Sequence, residues 1–237
     1  MSKIKYHREN YDIGSLDPHW ADAQIVRMIG ENKKVLEIGC ANGYIGKYLK
    51  EKQNCKIFGV ELNRQAAEEA REIYEGIITG DIESKEVLSK LEGRGERFEV
   101  ILCSNILEHL QNPLEVLNRL KLLLSSNGCF VIALPNIAHW SIRLKLWKGN
   151  FDYTESGILD NTHLKFFTLK TAGELLQEAG LKIEKWSFDW DNGIPKFNGL
   201  LNRIPKLGPK FLHWFYSLCP ALFGFQFIFK VAPAKNG

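Results

Sequence analysis

The chain has no closely spaced pair of cysteines, which excludes several classes of protein. Its five cysteines, at positions 40, 55, 103, 129 and 219, stand singly, without the spacing of zinc sites or thiol redox motifs. Cys55, Cys103 and Cys129 lie in or beside predicted strands, where small core residues are expected. The residues after Met1 are polar and lack the apolar core of a signal peptide, so we expect a cytoplasmic protein.

Long apolar runs and a strong net charge are also missing. The most apolar region, 211–229, is interrupted by His213, Ser217 and Pro220, so it does not predict a membrane-spanning helix. The 31 Lys and Arg residues against 28 Asp and Glu residues give a formal charge of +3, too small to predict a nucleic-acid partner. Hydrophobic residues make up 45% of the 237 positions, enough for the core of one α/β domain.

One glycine turn dominates the sequence. Apolar residues around Glu37 predict a buried parallel strand over 35–38, and a helix is predicted from Tyr44 to Leu49. A dinucleotide fingerprint would need glycine where Ala41 and Tyr44 stand, which argues against a nicotinamide dehydrogenase. The pattern acid-x-Gly-x-x-x-Gly instead offers a carboxylate to an ammonium group and lets a bulky ligand approach the backbone. A cationic amino acid attached to a nucleoside fits this description.

Acids at the ends of two further strands support a nucleoside ligand. Glu61 ends a strand predicted over 56–61 and lies 22 positions after Gly39. A carboxylate at that strand tip can accept from both ribose hydroxyls. Asp81, in the Gly-Asp-Ile that ends the third predicted strand, is expected to accept from an adenine amine, with Ile82 covering the ring.

These motifs resemble those of the class I S-adenosylmethionine (SAM) methyltransferases. Residues 98–110 are similar to the family segment F-D-x-I-x-x-x-x-x-L-E-H-L, with Glu99 where Asp is usual. Residues 160–168 resemble a segment of a small-molecule subgroup, many of whose members belong to cell-surface glycan pathways. The resemblance implies SAM as the cofactor, bound by Glu37, Gly39, Cys40, Ala41, Gly43, Glu61, Leu62, Asp81, Ile82, Ser104 and Asn105.

Strand and helix patterns alternate along the chain and predict an α/β fold. Further strands are expected over 76–82, 98–103, 129–134, 181–188 and 225–231, with a helix over 64–74 and another from Pro113 that Asn127-Gly128 closes. The prediction is a doubly wound, Rossmann-like, seven-stranded sheet, mostly parallel with an antiparallel last strand. We expect one domain over 1–237.

Three segments are expected to decorate this domain. Residues 1–30 would form an N-terminal cover helix, with Tyr6, Tyr11 or Trp20 lining the site. For Trp20, packing in the core is the favoured alternative. Residues 135–167 interrupt the β-α pattern and are expected at the carboxyl edge of the strands, where ligands bind. Residues 191–224 form a basic insertion rich in aromatic side chains.

Two histidines are candidates for the base that removes the acceptor's proton. His163 lies in the 135–167 segment and His109 follows the fourth strand, so both are expected near an incoming acceptor. A structural role is the alternative for each, and His139 is a weaker third candidate. The sequence contains no acid cluster that indicates a metal, so none is expected.

The acceptor's character is predicted from an uneven distribution of charge. No Asp or Glu occurs from 192 to 237, whereas Lys196, Arg203, Lys206, Lys210, Lys230 and Lys235 lie there among aromatic residues. This pattern favours an anionic acceptor and peripheral contact with a membrane, and a solvated basic surface is the alternative. We therefore expect methyl transfer to an oxygen or nitrogen of a small-molecule or glycan-type acceptor. This acceptor is either free or linked to a lipid. A non-catalytic SAM-binding or scaffold module remains the alternative function, and the oligomeric state stays open.

Overall fold

A single seven-stranded sheet organises the computed structural model, which describes residues 11–190 and 207–234. The strands are β1 Lys34–Ile38, β2 Lys56–Glu61, β3 Gly76–Thr79, β4 Phe98–Ser104, β5 Leu124–Pro135, β6 Leu181–Asp189 and β7 Gln226–Pro233. Their order across the sheet is β3-β2-β1-β4-β5-β7-β6. Strands β1 to β5 pair in parallel, and β7 runs antiparallel to β5 and β6. The predicted fold class is confirmed.

Helices connect the strands and cover both faces of the sheet. They are α1 Ala21–Ile29, α2 Tyr44–Gln53, α3 Arg64–Ala70, α4 Lys85–Gly93, α5 Pro113–Lys121, α6 Trp140–Trp147, α7 Leu169–Glu178, α8 Leu207–Ser217 and α9 Pro220–Phe223. Short 3-10 helices span Ile13–Ser15 and Leu107–His109. In the described ranges, no helix combines the length and apolar character that crossing a membrane requires.

The core consists of two apolar layers separated by the sheet. On β1, Val35 packs in one layer with Ile25 of α1 and Leu49 of α2. Leu36 and Ile38 point the other way, into the layer covered by α4, α5, α7 and α8. Burying each such side chain stabilises the fold by roughly 1.5–3 kcal/mol. Because both faces are covered, a ligand has access to the carboxyl ends of the strands.

Two predicted boundaries are wrong, and each has a local cause. The helix after β2 ends at Ala70 instead of Tyr74, and Tyr74 is buried against the β1 turn. Helix α5 ends at Lys121, so Asn127-Gly128 lies inside β5 and does not close a helix. Gly128 is needed in the strand because a Cβ there would lie 2.8 Å from the carbonyl oxygen of Phe98.

The N-terminal helix lies on one face of the sheet, and its role as a cover over the cofactor stays a prediction. Helix α1 packs beside β5, β6 and β7 on one face of the sheet. Tyr11 donates to Asp22, and Tyr6 lies outside the described residues. The expectation of a buried Trp20 is wrong: its side chain is 39% exposed because it precedes α1 as an extended N-cap.

The 135–167 insertion returns to the sheet beside its starting point. Asn136, just after β5, forms an isolated parallel bridge with Phe167. Helix α6 lies inside the insertion and exposes Trp147. Residues 191–206 of the basic aromatic insertion lie outside the described residues, whereas α8 and α9 represent its second half.

Candidate active site

Two cavities meet at the carboxyl ends of β1, β2 and β4. The larger has a volume of about 560 Å³ and the smaller about 340 Å³. Both are lined by Gly39, Ala41, Asn105 and His109. Because the cavities share these lining residues, they lie side by side. Two ligands, one in each cavity, would therefore be close enough to react.

The turn between β1 and α2 forms the shared floor through left-handed backbone. Gly39, Ala41 and Gly43 have φ angles of +73°, +47° and +82°. A Cβ at Gly39 would lie 2.9 Å from Cδ1 of Ile106. The glycine pattern thus has a steric cause, as the sequence predicts, and it keeps the floor of the cavities free of a side chain at Gly39.

Glu61 lies at the wall of the larger cavity and fixes the loop beside it. Its Oε2 accepts a hydrogen bond from the Ala41 amide at 2.8 Å, and its Oε1 accepts from the Asn63 amide at 2.8 Å. Each carboxylate oxygen has two lone-pair directions. Glu61 can therefore hold the turn and still accept from a pair of vicinal hydroxyls.

The other predicted contacts of a nucleoside also line the larger cavity. Asp81 is exposed and accepts from the Glu83 amide at 2.8 Å, while Ile82 is buried next to it. Leu62, which is 70% exposed, lines the same cavity. A polar acid between apolar side chains suits a flat base that carries an amine.

Glu37 lies at the smaller cavity as a buried carboxylate. Its side chain is only 3% exposed, and the Tyr74 hydroxyl donates to Oε2 at 2.6 Å. Burial raises the pKa of Glu37 to about 8, partly offset by the Tyr74 hydrogen bond. An ammonium group would restore the charged form. Tyr74 was not predicted, because its only sequence signal is its place at the end of a helical pattern.

Of the remaining predicted cofactor contacts, two line the cavities and two do not. Ser104 ends β4 and lines the smaller cavity, and Asn105 lines both cavities. Cys40 is buried in the core beside Gly59, and Gly43 lies against Tyr74. Neither Cys40 nor Gly43 is among the residues that line the two cavities.

The two candidate bases stand side by side. The rings of His109 and His163 are 4.8 Å apart, centroid to centroid, in an edge-to-face arrangement. His163 is 9% exposed and its Nδ1 lies 3.1 Å from the carbonyl oxygen of Ile158. Nδ1 of His109 lies 3.2 Å from the carbonyl oxygen of Thr162. His139 lines neither cavity, and its Nδ1 contacts the Ser141 hydroxyl at 2.8 Å.

Glu108 is a third member of this group that sequence reasoning missed. Its carboxylate is completely buried and lies 4.0 Å from Nε2 of His163. Burial raises the pKa of Glu108 to about 8. Its carbonyl oxygen accepts from the amides of Leu164 and Lys165 at 2.8 and 3.0 Å, which holds the insertion beside the end of β4. These long-range contacts bring Glu108 to His163.

The implied cofactor fits these residues. A sulfonium amino acid joined to adenosine carries one ammonium group, one ribose and one base. Glu37, Glu61 and Asp81 supply carboxylates in that order from the smaller cavity into the larger one. The left-handed turn at Gly39 leaves room between them, where a Cβ would meet Ile106.

Comparisons with known proteins agree with this architecture. A family model described as "Methyltransferase domain" matches residues 19–185. The ubiquinone biosynthesis O-methyltransferase of Pasteurella multocida (strain Pm70) is 26% identical over 141 residues, 51% of this chain and 58% of the relative. A second protein of that name, from Histophilus somni (strain 2336), is 30% identical over 44% of this chain and 45% of the relative. The chain thus spans about half the length of the curated relatives it matches.

Solved structures show the same fold. A SAM-dependent methyltransferase from Archaeoglobus fulgidus superposes with a TM-score of 0.62 at 17% identity, covering 89% of this chain and 91% of the other. The family model spans more than half of the sequence and includes the strand ends that carry Glu37, Glu61 and Asp81. The chain therefore belongs to the methyltransferase domain family, as the resemblance of its motifs predicts.

Proposed function

We propose that the chain transfers a methyl group from SAM to an oxygen or nitrogen of a small-molecule acceptor that enters the smaller cavity. The observation that carries this proposal is the junction of the two cavities at Gly39, Ala41, Asn105 and His109. Adenosine-binding groups lie on one side of the junction and titratable side chains on the other. Methyl transfer requires the acceptor atom, the methyl carbon and the sulfur to lie in line, and the junction of the two cavities allows this alignment.

Cofactor binding is assigned to the strand-end acids. Glu61 and Asp81 hold the ribose and adenine in the larger cavity, and Glu37 holds the ammonium group. Leu62 and Ile82 cover the base, while Ser104, Asn105 and the backbone of 39–43 complete the site. The cofactor, when bound, supplies the electrophilic methyl group on a sulfonium.

The acceptor side is assigned to the two histidines. His163 is our first candidate for the group that takes the acceptor's proton, because it lines the smaller cavity and is almost completely buried there. His109 is the second candidate and lines both cavities. Ser156, Gly157 and His163 of the 135–167 insertion line the smaller cavity.

The names of the matched relatives and the exposed cations of residues 143–148 together suggest the chemical class of the acceptor. The matched relatives are named ubiquinone biosynthesis O-methyltransferases, which favours an aromatic hydroxyl as the acceptor. Exposed Arg143 and Lys145 on α6, with Lys148 directly after it, favour an acceptor with negative charge, either a free glycan-type molecule or one attached to a lipid.

Calorimetry and product analysis test the proposal. SAM and S-adenosylhomocysteine should bind the full chain with one site each, and NAD should not bind. Methyl-labelled SAM is then incubated with hydroxylated aromatics, amines and anionic glycans, and methylated products are identified by mass spectrometry. No binding of either sulfur cofactor would contradict the proposal, and binding without transfer to any acceptor would favour the sensor or scaffold alternative.

A further inference from the structure

We propose that Glu108, His109 and His163 bind one divalent transition-metal ion at the wall of the smaller cavity. Each residue offers one ligand atom, and these three atoms lie within 4.8 Å of one another. The inference rests on the proposed function, since the ion would face the cavity assigned to the acceptor. It deepens that function by favouring an acceptor that presents an oxygen atom. With an ion bound, His109 and His163 serve as its ligands and no longer as candidate bases.

The distances are close to those of a coordinated ion. Bonds of about 2.0–2.2 Å to nitrogen and oxygen hold neighbouring ligand atoms about 3.3–3.6 Å apart in a tetrahedral site. Oε1 of Glu108 and Nε2 of His163 are 4.0 Å apart. The separations between the three ligand atoms therefore need to shorten by up to about 1.5 Å around an ion, which side-chain rotations can supply.

The Glu108 carboxylate supplies an independent reason for a cation. It is 0% exposed, and neither carboxylate oxygen has a hydrogen-bond partner within residues 11–190 and 207–234. Leaving a buried polar group without a partner costs free energy, and buried acids are normally paired or coordinate metals. A bound ion would take one of these oxygens as a ligand and balance the negative charge of the carboxylate.

The histidines are oriented in the way metal ligands usually are. The Thr162 hydroxyl donates to Oδ1 of Asp160 at 2.7 Å, so its oxygen accepts from Nδ1 of His109 at 3.2 Å. Nδ1 of His163 likewise donates to the Ile158 carbonyl at 3.1 Å. Both rings then carry the lone pair on Nε2. Metal-binding histidines typically donate their other ring nitrogen to a carbonyl or a carboxylate in this manner.

The donor set selects the kind of ion. Two imidazoles and one carboxylate suit Zn²⁺ and similar transition metals, whereas Mg²⁺ and Ca²⁺ prefer oxygen ligands throughout. Three protein ligands leave one coordination position open, which is typical of sites that bind substrate instead of holding the fold together. All three residues line the smaller cavity, so the open position faces the incoming acceptor.

Metal titration tests the proposal in the full, untagged chain. We would treat the protein with a chelator, remove the chelator, and titrate Zn²⁺ by calorimetry, with Mg²⁺ as the comparison ion. A Cys219→Ser background removes the exposed thiol. The variants are Glu108→Gln and His163→Gln. The matched control is His19→Gln, because His19 and His213 form a separate histidine pair with ring centroids 5.1 Å apart.

We expect one Zn²⁺ per chain, affinity at least about 100-fold weaker in either cluster variant, and unchanged affinity in His19→Gln. S-adenosylhomocysteine is titrated into the same samples. A chain that binds S-adenosylhomocysteine but no Zn²⁺ overturns the metal site and leaves the proposed function intact. A chain that binds neither contradicts the proposed function as well.

A spectrum of the unmutated chain keeps the proposal testable if the variants do not fold. Co²⁺ bound by imidazole nitrogen and carboxylate oxygen in a low-symmetry site absorbs visible light more strongly than Co²⁺ in buffer. We expect this change at one equivalent of Co²⁺, reversed by Zn²⁺. A spectrum identical to that of Co²⁺ in buffer would overturn the assignment.

Discussion

Glu61 combines two tasks at one residue, because its carboxylate holds the Ala41 and Asn63 amides and faces the larger cavity. The Glu61→Ala substitution removes both acceptors and the expected contact with the ribose. Unpaired groups of this kind cost about 1–3 kcal/mol, so the affinity for S-adenosylhomocysteine should fall roughly 5- to 150-fold. Calorimetry measures the change. The control is Glu99→Gln, because Glu99 lies near the start of β4, at the edge of the sheet opposite the cavities. Unchanged affinity in Glu61→Ala would sink the ribose assignment.

The buried carboxyl of Glu37 makes the stability of the fold depend on pH. Its pKa in the folded protein is about 8, above the ordinary value of 4.5. The folded state therefore holds a proton between these values, so the contribution of Glu37 to stability is largest below about pH 4.5 and is lost as the pH rises to about 8. Glu37→Gln should raise the free energy of unfolding at pH 8 relative to wild type and have little effect at pH 4.5.

The same Glu37→Gln variant should bind SAM more weakly, since an amide cannot neutralise an ammonium group. Urea unfolding at pH 4.5, 6 and 8, together with calorimetry, provides both measurements. A stability difference that does not grow between pH 4.5 and pH 8 would show that burial does not perturb this acid. Equal affinity for SAM would remove Glu37 from the cofactor site.

His163 is expected to matter for turnover but not for the cofactor. The His163→Ala variant removes a group from the smaller cavity and leaves the acids of the larger cavity in place. Loss of a proton-accepting group typically slows the reaction by about 10²- to 10⁴-fold. Steady-state kinetics with the acceptor found by product analysis measures kcat, and calorimetry verifies cofactor binding. Full activity would leave His163 a structural residue.

At the scale of elements, the turn between β1 and α2 is expected to be sensitive to substitution. Gly39→Ala places a Cβ on backbone with a φ of +73° and 2.9 Å from Ile106. Left-handed backbone costs a residue with a side chain about 1–2 kcal/mol, so we expect a loss of at least that size in urea unfolding. Gly93→Ala is the matched control, because a Cβ there meets no atom within 4 Å. Equal stability of the two variants would contradict a strained turn.

The elements also explain which parts of the site the sequence could predict. Glu37, Glu61 and Asp81 each follow or end an apolar strand, and parallel strands bring such ends to one edge, so local patterns were sufficient. Tyr74 and Glu108 act through contacts that span 37 and 55 positions, to Glu37 and His163. No periodicity encodes such contacts.

Boundary errors had a related cause. Trp20 fits the helical spacing of its neighbours, but α1 begins one residue later, and the extended backbone of an N-cap turns its side chain partly into solvent. In the sequence, Gly128 resembles a helix stop. In the structure, it lies in a strand beside the Phe98 carbonyl, which leaves no room for a side chain. Turn residues are ambiguous wherever close approach between strands also demands glycine.

At the scale of the whole molecule, exposed aromatic side chains occur on two helices that belong to basic or acid-free stretches of the sequence. Helix α6 exposes Trp147 to 83%, next to the exposed cations of 143–148. Helix α8 exposes Phe211 and Trp214, in a stretch of sequence without a single acid. Aromatic side chains among cations suit the headgroup region of a bilayer, where each cation near an anionic surface contributes about 1 kcal/mol.

The chain should therefore sediment with anionic liposomes at low salt and be released at high salt, because exposed charges are screened within about 10 Å at 0.1 M salt. Neutral liposomes should not bind it under either condition. Trp147→Ser should weaken the binding by removing an aromatic anchor, whereas Leu122→Ser, at an apolar residue that is 61% exposed after α5, should not. If the anionic liposomes also fail to bind, membrane contact is wrong, and the cations of α6 either serve a soluble anionic acceptor or form an ordinary solvated surface.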